Sequence, residues 1–176
     1  MEKVLPFLLA ALLVSGCTST QPEEVMQMGD LKLTSPAFPD NGDIPAKFTC
    51  QGDDVNPQLG IEGVPAGAKS IVLIMDDPDA PMGTWDHWIV FNIAPDTASI
   101  AENSVPSGAV QGRNGWGNSE YGGPCPPSGT HRYVFKLYAL DTTLQLDQNA
   151  DKGAVESAMQ GHVLAQTKLT GLYGKS

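Results

Sequence analysis

Three stretches of the chain join apolar side chains to residue types that favour extended backbone: 70–76 (Ser-Ile-Val-Leu-Ile-Met-Asp), 86–93 (Asp-His-Trp-Ile-Val-Phe-Asn-Ile) and 132–140 (Arg-Tyr-Val-Phe-Lys-Leu-Tyr-Ala-Leu). Each is rich in β-branched or aromatic residues and bounded by Gly, Pro or Asp, the pattern of a strand. Weaker versions of the pattern occur at 31–35, 44–49 and 168–173. Helical spacing appears once, where Ala154, Val155, Ala158, Met159, His162 and Val163 fall on one face behind Asp151 as cap. His162 belongs to that face and is expected to be a hydrogen-bonded histidine of the core or its boundary. With 19 Gly and 14 Pro, the chain reads as mostly β, short strands joined by long connections. Residues 112–129 follow neither period, and the Trp116, Tyr121 and three prolines set among their glycines predict an ordered loop forming a wall.

A different pattern opens the chain. Met1-Glu2-Lys3 precedes the apolar run 4–14 and then Ser15-Gly16-Cys17. The run is too short for a permanent membrane span, which takes about 20 apolar residues, and reads as a signal peptide over 1–16. Leu13-Val14-Ser15-Gly16-Cys17 resembles a lipobox, which implies lipidation of Cys17. Residues 17–30, polar and poor in large apolar groups, read as a flexible tether, and 31–176 as one domain long enough to bury a core. The expected location is exported, lipid-anchored to the cell membrane and facing outside the cytoplasm. There disulfides persist, so Cys50 and Cys125 are free to pair, or each to serve as a small buried apolar group.

Charge narrows the partners. A formal net charge of -10 argues against nucleic acid, whose phosphates reward clustered Lys and Arg.

Candidate chemistry gathers at strand ends. The strand at 70–76 runs into Asp76-Asp77-Pro78-Asp79-Ala80-Pro81, where prolines stiffen a turn bearing three carboxylates. Trp85-Asp86-His87-Trp88 opens the next strand, and strict alternation puts Trp85, His87 and Ile89 on one face and Asp86, Trp88 and Val90 on the other. Gly122 to Tyr133 leads into the third strand, with His131 and Tyr133 two apart and so on one face. If these strand ends are neighbours, His87, His131, Tyr133 and Asp77 or Asp79 converge, and the Gly/Pro-rich loop brings backbone N–H groups near whatever binds.

The segments 76–81, 85–88 and 123–133 (Gly-Pro-Cys-Pro-Pro-Ser-Gly-Thr-His-Arg-Tyr) strongly resemble the phosphatidylethanolamine-binding protein family, most of all its bacterial and archaeal Raf kinase inhibitor-like branch. Weaker matches at 35–38, 44–50, 111–114 and 161–165 extend the likeness over essentially all of 31–174. The resemblance implies antiparallel strands in two packed sheets with a few peripheral helices, and a small cavity for phosphate-like anions. It assigns ligand contact to Asp77, Asp79, Trp85, His87, Gly123, Pro124, His131 and Tyr133, and supplies neither a cofactor nor a metal. Asp86 stands where animal members carry a histidine.

The expected function is therefore a membrane-tethered binding protein for a small anion or phospholipid headgroup, not an enzyme, and a regulator or inhibitor of a protein partner. The histidines are expected to be held protonated by Asp77 or Asp79 and to donate to the anion. Alternatives are a protease inhibitor and a histidine/carboxylate hydrolase, metal-assisted or not. No His-Glu-x-x-His spacing supports the last.

Overall fold

Where both faces of a strand are covered, its sequence is a continuous apolar run, and the stretch beginning at Ser70 lies in such a place. The structure, a computed structural model, describes Met1 and residues 30–175. The expected signal segment, Cys17 and the tether up to residue 29 lie outside the described residues. The strands are β1 (Lys32–Thr34), β2 (Gly42–Asp43), β3 (Leu59–Glu62), β4 (Ser70–Asp77), β5 (Trp85–Ile93), β6 (Ser99–Ile100), β7 (Val110–Gln111), β8 (Thr130–Leu140) and β9 (Val163–Gly174), with helix α1 (Lys152–Met159) before the last. The chain is mostly β in two sheets, ordered β2-β9-β8-β4-β5-β7 and β1-β3-β6. Every pairing is antiparallel except β2 with β9.

The main core lies between the sheets. Ile71, Leu73 and Met75 of β4 meet Trp88 and Val90 of β5, Phe135 and Leu137 of β8, and Leu33, Leu59, Ile61 and Ile100 from the small sheet. On the other face of β4 and β5, Val72, Ile74, Ile89 and Phe91 pack against Leu144, Val155 and Met159, which seats α1. Burying each such side chain contributes about 1.5–3 kcal/mol.

Three local expectations are corrected. Residues 44–49 are not a strand: Pro45 has no N–H to give a ladder, Ala46–Phe48 close a 3-10 turn, and the pairing with β9 is made earlier, by β2. Helix α1 stops at Met159, Gly161 takes a left-handed φ of 78°, and Val163 opens β9, so the apolar spacing past Met159 belongs to a strand. His162 is thus outside the helix, 46% exposed, with Nδ1 2.8 Å from Asp141 Oδ1. The third correction concerns faces. Met75 pairs with Trp88 and Asp76 with Asp86, which leaves His87 as the extra residue of a β-bulge. Strict alternation fails there: Ile89 faces α1, whereas His87 turns with Trp85 and Asp77 toward the cavity.

Candidate functional site

The bulge at His87 and the ends of β4 and β8 meet at one edge of the large sheet. Asp77 pairs across the ladder with Trp85, and His131 and Tyr133 lie on the adjacent strand β8. A cavity of about 320 Å³ opens here, lined by Asp77, Trp85, His87, Trp116, Cys125 and Pro127, with Met82 and Pro81 at its apolar side. Met82 is 99% exposed and Trp116 48%.

His131 is a buried partner of Asp77, with Nδ1–H donating to Asp77 Oδ2 at 2.7 Å. Asp77 Oδ1 accepts the Asp79 N–H at 2.8 Å, so both oxygens of this carboxylate are engaged within the wall. Asp79 reaches neither histidine. It takes the Arg132 side chain at 2.6 and 2.9 Å and the Arg132 N–H at 3.0 Å, and those hydrogen bonds pull its pKa from 3.8 to about 2.

His87 departs from the expectation that a carboxylate keeps it charged. It is 3% exposed, and burial pushes its pKa below the ordinary 6.5 against the opposing pull of Gly122 and Asp77. Its Nδ1 lies 2.7 Å from the Gly122 carbonyl, which can only accept, so Nδ1 carries the proton and Nε2 is a lone pair in the neutral ring. Edge-on contacts with Tyr133 and Trp116, each 5.1 Å between centroids, fix the ring. Trp85 Nε1 and the Tyr133 hydroxyl are buried without a hydrogen-bond partner among the described residues. Burial, with Asp77 acting in the same direction, holds the Tyr133 phenol above its ordinary pKa, so it is an O–H donor at neutral pH; the Cys125 amide, which opposes that shift, does not reach hydrogen-bond geometry.

The wall formed by residues 112–129 is ordered by short-range contacts. Asn114, 6% exposed, donates to Glu120 O and accepts from the N–H groups of Trp116 and Asn118. Glycines let the indoles in: a Cβ on Gly115 would sit 2.5 Å from the Trp85 ring, and one on Gly122 would sit 2.4 Å from that of Trp116. Cys50 and Cys125 are joined by a disulfide with Cα atoms 5.5 Å apart, tying this loop to the segment after the 3-10 turn.

The sequence model of the phosphatidylethanolamine-binding proteins matches residues 34–174. The chain belongs to the phosphatidylethanolamine-binding protein family. A UPF0098 protein of Methanothermobacter thermautotrophicus is 52% identical over 148 residues, 81% of this chain and 98% of the relative. Another from Pyrococcus horikoshii is 46% identical over 183 residues, 98% of this chain and 90% of the relative. Among solved structures, a phosphatidylethanolamine-binding protein homologue of Chlamydia trachomatis matches with TM-score 0.80 at 43% identity, over 83% of this chain and 98% of that one. YbcL of E. coli, described as a new member of the mammalian family, matches with TM-score 0.78 at 31% identity, over 83% of this chain and 99% of that one.

In this member of the family the residues singled out from sequence divide by position. Asp77, Trp85 and His87 line the cavity, and His131 and Tyr133 stand directly behind them. Gly123 and Pro124, expected to contact the ligand, are not among the residues that line this cavity. The Gly123 N–H donates to Asp54 Oδ1 at 2.7 Å, and Pro124 O accepts from Cys50 N, so both moor the loop. Gly123 instead lines an adjoining cavity of about 290 Å³ with Asp54, Glu120 and Tyr121. Met82 and Asp54 were absent from the sequence reading, and Pro127 entered it only as part of the loop motif: Met82 and Pro127 are ordinary turn residues, and Asp54 sits at a φ of 55° that no pattern marks. Trp116 was legible only as loop wall. Among the described residues no three His, Cys, Asp or Glu side chains gather as a metal-holding group.

Proposed function

We propose that this chain is a binding protein whose cavity takes one compact phosphate-like group, free or as a phospholipid headgroup, that it catalyses nothing, and that it works from a lipid anchor at Cys17 outside the cytoplasm. The observation that carries the reading is that two buried donors have no partner among the described residues: Trp85 Nε1–H, on a residue of the cavity wall, and the hydroxyl of Tyr133, whose ring stands edge-on to His87. Buried polar groups are rarely unpaired, and a ligand oxygen is what such donors lack. The Asp77 carboxylate does not oppose an anion strongly, because His131 and the Asp79 amide already engage its oxygens.

The neutral His87 gives the reading a definite pH dependence. An anion at Nε2 favours the imidazolium, so binding takes up a proton and affinity rises as pH falls toward and below 6.5. The test is calorimetric titration of the full-length chain with inorganic phosphate, phosphoethanolamine and phosphatidylethanolamine vesicles between pH 5 and 9, repeated with His87→Ala. Phosphate affinity that falls with rising pH and is lost in the variant supports the reading; affinity independent of pH, or unchanged in the variant, overturns it. Binding of vesicles but not of free phosphate would identify the headgroup as the ligand.

A further inference from the structure

On the opposite face of the large sheet from the cavity, the same strand ends carry Asp76 and Asp86, met by Lys136 of β8 and Lys152 of α1, four charged side chains that the binding reading does not use. Asp76 and Asp86 are cross-strand partners, placed opposite each other by the bulge at His87. Like charges in that relation repel, and Asp76, 1% exposed, has little water to screen it. Lys152, the first residue of α1, reaches between them: its Nζ lies 2.9 Å from Asp76 Oδ2 and 2.9 Å from Asp86 Oδ1. Lys136 adds a contact at 2.7 Å, but to the same Asp76 oxygen and not to Asp86. Lys152 is therefore the bridging cation among the described residues. Burial works to lower its pKa, the hydrogen bonds to Asp86 and Asp76 outweigh that, and the ammonium stays charged.

The next pair along the ribbon is Asp77 with Trp85, and the bulged residue His87 lies on the other side of Asp86, between that pair and Met75 with Trp88. On the side away from β4, β7 pairs only with Val90 and Phe91, and this end of β5 is held by the loop, through the Gly115 N–H to Asp86 O at 2.8 Å and the Gly122 N–H to His87 O at 3.0 Å. The contact that keeps Asp86 against Asp76 is the side-chain tie across this end of the ribbon, and it acts together with those backbone bonds on how far Trp85 and His87 stand from Asp77. We infer that Lys152 is a positioning residue for the cavity, its ammonium clamping Asp76 to Asp86 from behind and so setting the spacing of Asp77, Trp85 and His87 in front. The clamp rests on the binding reading for its effect on a ligand, but not for its effect on the geometry.

The test compares the full-length chain with Lys152→Met, Lys152→Arg and the double variant Lys152→Met/Asp86→Asn. NMR titration of the His87 and His131 imidazoles and the Trp85 indole signal needs no ligand; inorganic phosphate binding is read in parallel. In Lys152→Met the His87 midpoint and the Trp85 signal move, and phosphate affinity drops roughly tenfold, the scale of one or two misplaced polar contacts. Lys152→Arg keeps the wild-type values, and the double variant returns to them, because removing Asp86's charge removes the repulsion. Unmoved signals in Lys152→Met overturn the inference, and so does a double variant that fails to return, since a lysine acting only through packing is not rescued by Asp86→Asn. If Lys152→Met does not fold, the same double variant decides: folded with wild-type midpoints supports the clamp, unfolded overturns it. Wild-type protein that ignores phosphate while its variants move the imidazole signals as expected would sink the binding reading and leave the clamp standing.

Discussion

At His87 burial and charge pull in opposite directions, and burial prevails. The linkage has a definite sign. An unfolded chain takes up a proton at the ordinary value of 6.5, whereas the folded chain does so only at lower pH, so the unfolded state holds more protons in between. The contribution of His87 to stability is complete above pH 6.5 and is lost as pH falls through 6.5 toward the folded value. His87→Gln should remove this slope, which is at most about 1.4 kcal/mol per pH unit. Urea unfolding at pH 5.5 and 7.5 checks it: equal pH dependence in the two proteins would contradict a depressed His87. Sequence could mark this residue but not its charge state. The three neighbours that bear on that state, the Gly122 carbonyl and the enclosing Tyr133 and Trp116 rings, lie 29 to 46 positions away in the chain and arrive only on folding.

Among the elements, β5 shows how local exceptions do the positioning. Its first bulge turns His87 to the cavity; its second lies between the Ile71–Ile93 and Leu73–Val90 pairs and contains Asn92 at a φ of 57°. The Asn92 side chain donates to Leu144 O and accepts from Leu144 N, each at 2.8 Å, tying the strand to the segment that covers α1. A residue without an amide loses both bonds and strains at positive φ. Asn92→Leu should cost about 2–4 kcal/mol, measured by urea unfolding; a cost under about 0.5 kcal/mol, the scale of an ordinary surface change, would show that the amide is not a structural tie. The strong strands were legible because their runs are long: β4, β5 and β8 begin within two residues of where the pattern puts them. β3, β6 and β7 were not, since two to four residues are too few to carry a period.

At the scale of the whole molecule, the cavity is enclosed by a covalent tie across much of the chain. Cys50 and Cys125 are separated by 75 positions. On the chain-entropy account, closing a loop of that length stabilises the fold by roughly 4 kcal/mol. The double variant Cys50→Ala/Cys125→Ala, or reduction of the native protein, should lower unfolding stability by about that much; an unchanged urea midpoint would show that the two cysteines are not bonded in the protein. From sequence the two cysteines had two open readings, because pairing depends on a Cα separation that only the packed loop defines.

The sequence by itself determined the class of fold, the three long strands, the family and the residues that converge at one sheet edge. Those follow from side-chain periodicity and from motifs in which each residue's neighbours along the chain are enough. Tertiary structure alone decided which of those residues face the cavity. A one-residue bulge reverses every face beyond it, desolvation favours the neutral form of a buried histidine, and Asp77 and Asp79, two positions apart, part ways to His131 and Arg132. Period and motif carry no information about which distant partner reaches a side chain first.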